Sequence, residues 1–250
     1  MTRWLTQRLM TRSRRHLAAV VTLLLVLATF LALALHVATK PETREKAWYN
    51  LPAPCRLPDS TLDSLAALAF SMHAALRSLH VPHVLCYGTL WGALRTGRIL
   101  PWDTNIDMCA MDLHFANVSS AQLQEAFGKR GMELLYDWRS GQYNVTFRGG
   151  AVQGCISVFT RAASSLSSSS SSSDDPTGAE ETAVPGGWSR AVWRWFGQKQ
   201  TSFPLWLLQA PFQTVKFHEK DFPVPHEGLE LLKYLYPSDW WQEVKPPGCP

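Results

Sequence analysis

The chain has 250 residues, room for one good-sized domain or barely two. Its formal charge of +4 rests on Arg3, Arg8, Arg12, Arg14 and Arg15; without these five, 19 of the 24 basic residues remain against 20 acidic ones. That near-neutral remainder gives no electrostatic support to a nucleic-acid partner.

Residues 1–16 read as a basic cytosolic tail and residues 17–37 as a transmembrane anchor. From Leu17 to Leu35 there is no charged residue, and such a helix spans about 28 Å, close to a bilayer core. The arginines before this run, against the mixed charges Lys40, Glu42, Arg44, Glu45 and Lys46 after it, predict a single-pass type II protein with its domain on the far, lumenal side of the membrane. A cleaved signal peptide is the competing reading. Ala32-Leu33-Ala34 resembles a cleavage site, but the apolar run is longer than a signal core.

Residues 38–58, with Pro41, Pro52, Pro54 and Pro58, form a stem without apolar period. Asp59 or Ser60 then opens a predicted helix to about His80, in which Leu62, Leu65, Leu68, Ala69, Met72, Leu76 and Leu79 recur at three and four residues. A short strand over 82–87, a helix over 90–96 and a strand over 106–111 follow. Ser119 or Ser120 starts a helix to about Lys129, and three strands are expected over 132–138, 142–148 and 151–159. Residues 162–187, rich in serine, read as a disordered insertion. A strand over 212–217 and a helix over 227–236 complete a mixed α/β (α+β) domain spanning 59–250. Five cysteines lack zinc-type spacing and admit one or two disulfides with a thiol left over. Asn117-Val118-Ser119 and Asn144-Val145-Thr146 are glycosylation sequons.

The chemistry concentrates between Cys86 and Asp107. A strand runs into Gly88-Thr89 and a helix start, a combination able to hold phosphate on free backbone N–H groups and the Thr89 hydroxyl. Asp103 and Asp107 are candidate catalytic and metal-binding carboxylates for magnesium or manganese, and Arg95 and Arg98 candidate phosphate contacts. Taken singly, a Gly-Thr pair is more often a plain turn, and two loop aspartates more often cap and solvate. His73, His80, His83, His218 and His226 read as capping or surface histidines, and most tryptophans as packing residues.

The whole phrase changes the odds. Tyr87, Gly88, Thr89, Leu90, Gly92, Ala93, Arg95, Gly97, Pro101, Trp102, Asp103 and Asp107 resemble the signature of the LicD/fukutin family, and Val215–Phe217, Phe222–Pro225 and Leu231–Tyr236 resemble its closing segment. The resemblance implies a nucleotidyltransferase-like mixed sheet that moves a phosphorylated small group from a CDP-activated donor to a glycan acceptor, and, with such an anchor, a place in the Golgi or ER membrane. In that setting Gly88, Thr89 and Arg95 hold the donor phosphates, and Asp103 and Asp107 the metal. Two positions depart from the pattern: Asn105 stands where a carboxylate is expected, and Ser157 aligns with the third metal carboxylate. Two readings follow, an active metal-dependent transferase or a degenerate relative that binds a nucleotide, a glycan or a partner transferase without turnover. A plain membrane-tethered interaction module is the third.

Overall fold

The computed structural model describes residues 18–32, 53–162, 181–187 and 202–249. Met1–Leu51 and Pro52–Pro250 form separate compact units. In the first, helix α1 covers residues 18–32, about 22 Å at 1.5 Å per residue, against the roughly 30 Å of a bilayer core. No helix of the described residues is long and apolar enough to cross a membrane. This corrects the expected 17–37 anchor. The type II topology, the Golgi or ER membrane location and the bilayer as a partner, all of which followed from that anchor, fall with it. Residues 17 and 33–37 of the expected anchor lie outside the described residues, and the helix that is described is shorter than a span.

The second unit opens with α2, Asp59–Ser78. Its buried face is Leu65, Ala66, Leu68, Ala69, Met72, Ala75 and Leu76, the expected period, and each large aliphatic buried there contributes on the order of 2 kcal/mol. Pro58 precedes it and gives no side-chain cap; Asp59 instead pairs with Arg56 at 2.8 Å.

Strand β1 (Val84–Leu85), helix α3 (Tyr87–Thr96), strand β2 (Asn105–Met111), helix α4 (Ser120–Gly128) and strands β3 (Met132–Asp137), β4 (Gln142–Phe147) and β5 (Gln153–Ala162) follow. Ser119 caps α4, its hydroxyl accepting from Gln122 N at 3.2 Å. The sheet order is β1-β2-β5-β4-β3, with β2 and β5 parallel and β4 antiparallel to both β3 and β5. A Cβ on Gly154 would meet Met72 Sδ at 2.5 Å, so α2 packs against the sheet face of Ile106, Met108 and Gly154.

Strand β6 (Thr182–Pro185) pairs with the far end of β5 and with β7 (Phe203–Pro204). The expected insertion over 162–187 is therefore too wide, since Ala162 ends β5 and Thr182–Pro185 form a strand. Four residues are too short to show a period; Ala183 and Val184 are buried on a strand that pairs with both β5 and β7. Residues 163–180 lie outside the described residues. A two-stranded hairpin, β8 (Gln213–Phe217) and β9 (Lys220–Val224), precedes α5 (Gly228–Leu235). Its turn holds His218 and Glu219 at φ 47 and 65, a region that side-chain-bearing residues seldom adopt. Docking fixes it there: His218 N donates to Gly97 O at 2.8 Å, and His218 Nε2 accepts from Ile99 N at 3.1 Å. The hairpin thus braces the loop leading to Asp103.

Candidate functional site

The backbone of Asp107 is held at both ends. Cys86 N donates to Asp107 O at 3.0 Å, and Asp107 N donates to Thr89 Oγ1 at 2.9 Å. A disulfide joins Cys86 to Cys109, and between these ties Tyr87 is bent to φ 48. Thr89, in the first turn of α3, thereby positions β2. Thr89 is wholly buried, and a Cβ on Gly88 would stand 2.9 Å from Asp103 Oδ2. Gly88 makes room for a carboxylate.

Asp103 is 8% exposed, and its Oδ2 has no hydrogen-bond partner. Burial first, then the nearby Asp107 carboxylate, drive its carboxyl up to about 8, against the pull of the backbone N–H groups of Asn105 and Thr104. Burial likewise raises Asp107 to about 7, while the Asn105 side chain draws it down. That amide donates from Nδ2 to Asp107 Oδ1 at 2.8 Å.

Sheet register shows what stands beside Asp107. Its partner across β5 is Cys155, with Asn105 opposite Gln153 and Cys109 opposite Ser157. Cys155 in turn faces Asn144, which faces Leu135. Registered neighbours point to one face, so Leu135, Asn144, Cys155 and Asp107 form a row across four strands, on the face opposite α2. Ser157 lies two residues further along, 5% exposed and accepting from Gln142 Nε2 at 3.1 Å. Cys155, outside both disulfides, occupies the place nearer Asp107. Residue spacing alone could not have singled it out, because the choice depends on pairing between distant strands.

Arg95 is engaged elsewhere. Its guanidinium lies 3.4 Å from the Trp91 ring centroid and donates to Trp241 O at 2.8 Å, while Trp91 Nε1 donates to Trp240 O at 3.3 Å. It clamps the C-terminal segment to α3. Asn117 and Asn144 are both exposed.

Hard divalent ions favour several charged oxygens. Among the described residues no three His, Cys, Asp or Glu side chains converge in a way that could hold a metal ion, and the amide hydrogen of Asn105 takes a lone pair of Asp107 that a cation would need. The residues present do not fit a magnesium or manganese site.

A mixed sheet, a Gly-Thr pair in the first turn of α3 and the acid-bearing strand β2 beside it fit a nucleotidyltransferase-type domain. Residues 80–227 match the family described as LicD/FKTN/FKRP, nucleotidyltransferase domain, and the chain belongs to that family. The comparison with curated proteins finds no match.

The buried acid has a measurable signature. Asp103 is neutral in the fold at pH 7 and ionised in the unfolded chain, so between its ordinary value of 3.8 and about 8 the unfolded state binds fewer protons. Stability therefore falls as pH rises through that window. His83, held down to about 4 by burial, acts in the opposite sense, but only below the ordinary histidine value of 6.5. Urea unfolding from pH 6.5 to 8.5 separates the two acids from the histidines: Asp107, raised to about 7, acts in the same sense at the lower end, and Asp103 carries the change above it. The wild type is expected to weaken across that range, and Asp103→Asn to flatten the upper part of the profile while the Asp107 slope near neutrality remains, with a gain on the order of 1–3 kcal/mol at pH 8. A level wild-type profile would contradict the neutral carboxyl.

Proposed function

We propose that the chain is a catalytically degenerate member of its family, a nucleotidyltransferase-fold domain that binds a nucleotide without a divalent ion and without passing on its phosphoryl group. The observation that carries this reading is the Asn105 amide bonded to Asp107. Where a transferring site needs a cation to neutralise phosphate charge, this one has a neutral hydrogen-bond donor. The raised acids add support, because carboxyls that stay protonated near neutrality repel an anionic ligand far less than a carboxylate pair does.

Thermal shift with nucleoside diphosphates, each with and without manganese, tests it. The expected result is a nucleotide shift indifferent to metal, with no turnover of activated donors. Metal-dependent turnover abolished by Asp107→Ala would restore the active reading. The converse experiment rebuilds the site. Asn105→Asp with Cys155→Asp puts three carboxylates on one face of β2 and β5, and manganese affinity is expected to rise at least tenfold. Asn105→Asp with Ser157→Asp is expected to gain less and to lose stability, because Ser157 is buried and an aspartate there is desolvated. Isothermal titration with manganese ranks the two pairs.

A further inference from the structure

Strand β3 ends the sheet, and among the described residues no strand lies beside its outer edge. Such edges invite pairing with another chain unless something covers them. Gln124 Nε2 meets one edge carbonyl, Leu134 O, at 2.7 Å. Next to it Leu135 is 69% exposed, the most exposed large apolar side chain among the described residues of the second unit. An apolar side chain so open on a free edge is an association hazard.

Directly opposite Leu135 in the register stands Asn144. It is exposed, shares the open sheet face with Leu135, and begins the sequon that Thr146 completes. Opposed residues on neighbouring strands lie about 5 Å apart, within reach of the first sugar of an N-linked glycan. The two disulfides, Cys55–Cys249 and Cys86–Cys109, belong to the oxidising surroundings in which such glycans are also attached. The second sequon differs. Asn117 sits in the turn before α4, outside every strand pairing, and has no registered apolar neighbour to cover.

We propose that Asn144 carries an N-linked glycan whose first sugars lie over Leu135 and the open edge of β3, keeping that edge from pairing with a second copy of the chain. Attachment takes a lipid-pyrophosphate-linked oligosaccharide as co-substrate. Asn144 Nδ2 forms a bond to C1 of the sugar, the C1–O bond to pyrophosphate breaks, its electron pair leaves with the pyrophosphate, and one amide proton passes to base. The glycan leans toward β3, away from Asp107, because the uncovered apolar surface lies on that side.

The full chain expressed in a glycosylating eukaryotic host provides the test. Peptide mapping is expected to find Asn144 occupied, and Asn144→Gln to remove one step of peptide-N-glycosidase-sensitive mobility. By light scattering the glycosylated protein is expected to run at the mass of one chain. Enzymatic deglycosylation of the folded protein, which avoids any folding defect of a variant, is expected to shift it to at least twice that mass. Leu135→Ser in the Asn144→Gln background is expected to return it to one chain. An unoccupied Asn144, a glycosylated protein that already self-associates, or a deglycosylated one that stays at one chain would each overturn the proposal. So would failure of Leu135→Ser to restore the single-chain mass.

Discussion

Replacing Cys55 and Cys249 with serine is expected to remove about 5 kcal/mol of stability. The bond joins residues 194 apart, and closing so long a loop in the unfolded chain takes away more disorder than closing the 23-residue loop of Cys86–Cys109, for which the same relation gives about 3 kcal/mol. Domains of this size are stable by roughly 5–15 kcal/mol, so the loss is a large share of the total. Neighbouring contacts set the context: Leu57 N donates to Pro101 O at 2.7 Å beside Cys55, and Arg95 holds Trp241 O ahead of Cys249. Urea unfolding of Cys55→Ser/Cys249→Ser against wild type, with unchanged Cys86 and Cys109, measures the effect. A loss under about 1 kcal/mol would mean that these non-covalent clamps already constrain the ends, and that the entropic account of this bond is wrong.

Gly92→Ala is the second large effect, and its sign runs against helix propensity. In an exposed helix interior the change stabilises by about 1 kcal/mol. Here a Cβ would meet Arg98 O at 2.4 Å and Leu100 N at 3.2 Å, and both atoms are backbone. The loop over 98–100 must move, and with it Asp103, whose N–H donates to Leu100 O at 3.0 Å. Overpacking of this kind destabilises by about 3 kcal/mol. Gly128→Ala is the control, since its Cβ meets only an Arg148 guanidinium nitrogen at 3.7 Å, and it is expected to be neutral or stabilising. Equal unfolding midpoints for Gly92→Ala and wild type would show that the loop yields freely.

The elements that were legible are those whose signal is local. The three-and-four spacing of Leu65, Leu68, Met72 and Leu76 marks α2, and Ser119 marks the start of α4. Strands β6 and β9 were not legible. Thr182–Pro185 is a strand because β5 lies beside it, and Phe222-Pro223-Val224 reads as a turn until β8 pairs with it. The N-terminal apolar run gave the opposite error: its composition suits a span, and its described helix is too short for one. At the site, the family phrase singled out Asp103 and Asp107, which act on one another electrostatically in the fold, but not what holds them. Gly88 and Thr89 suggested a phosphate cradle; what the sequence did not announce is that Thr89 bonds the backbone of Asp107 and that a side chain at Gly88 would collide with Asp103. Arg95 meets Trp241, 146 residues away, a contact that no spacing announces.

The placement of β5 bears on how the chain reaches its fold. The β3–β4 hairpin pairs across a short turn and can form within microseconds. The parallel pair at the centre of the sheet cannot. Joining Asn105 to Gln153 and Met111 to Phe159 closes a loop of roughly 50 residues, with that entropy lost before any contact repays it. Helix α3 and the turn at Tyr87 reach their final geometry only against β2. This topology predicts that the acidic site closes later than the β3–β4 hairpin, so pulse-labelling hydrogen exchange is expected to protect the amides of β3 and β4 before that of Asp107.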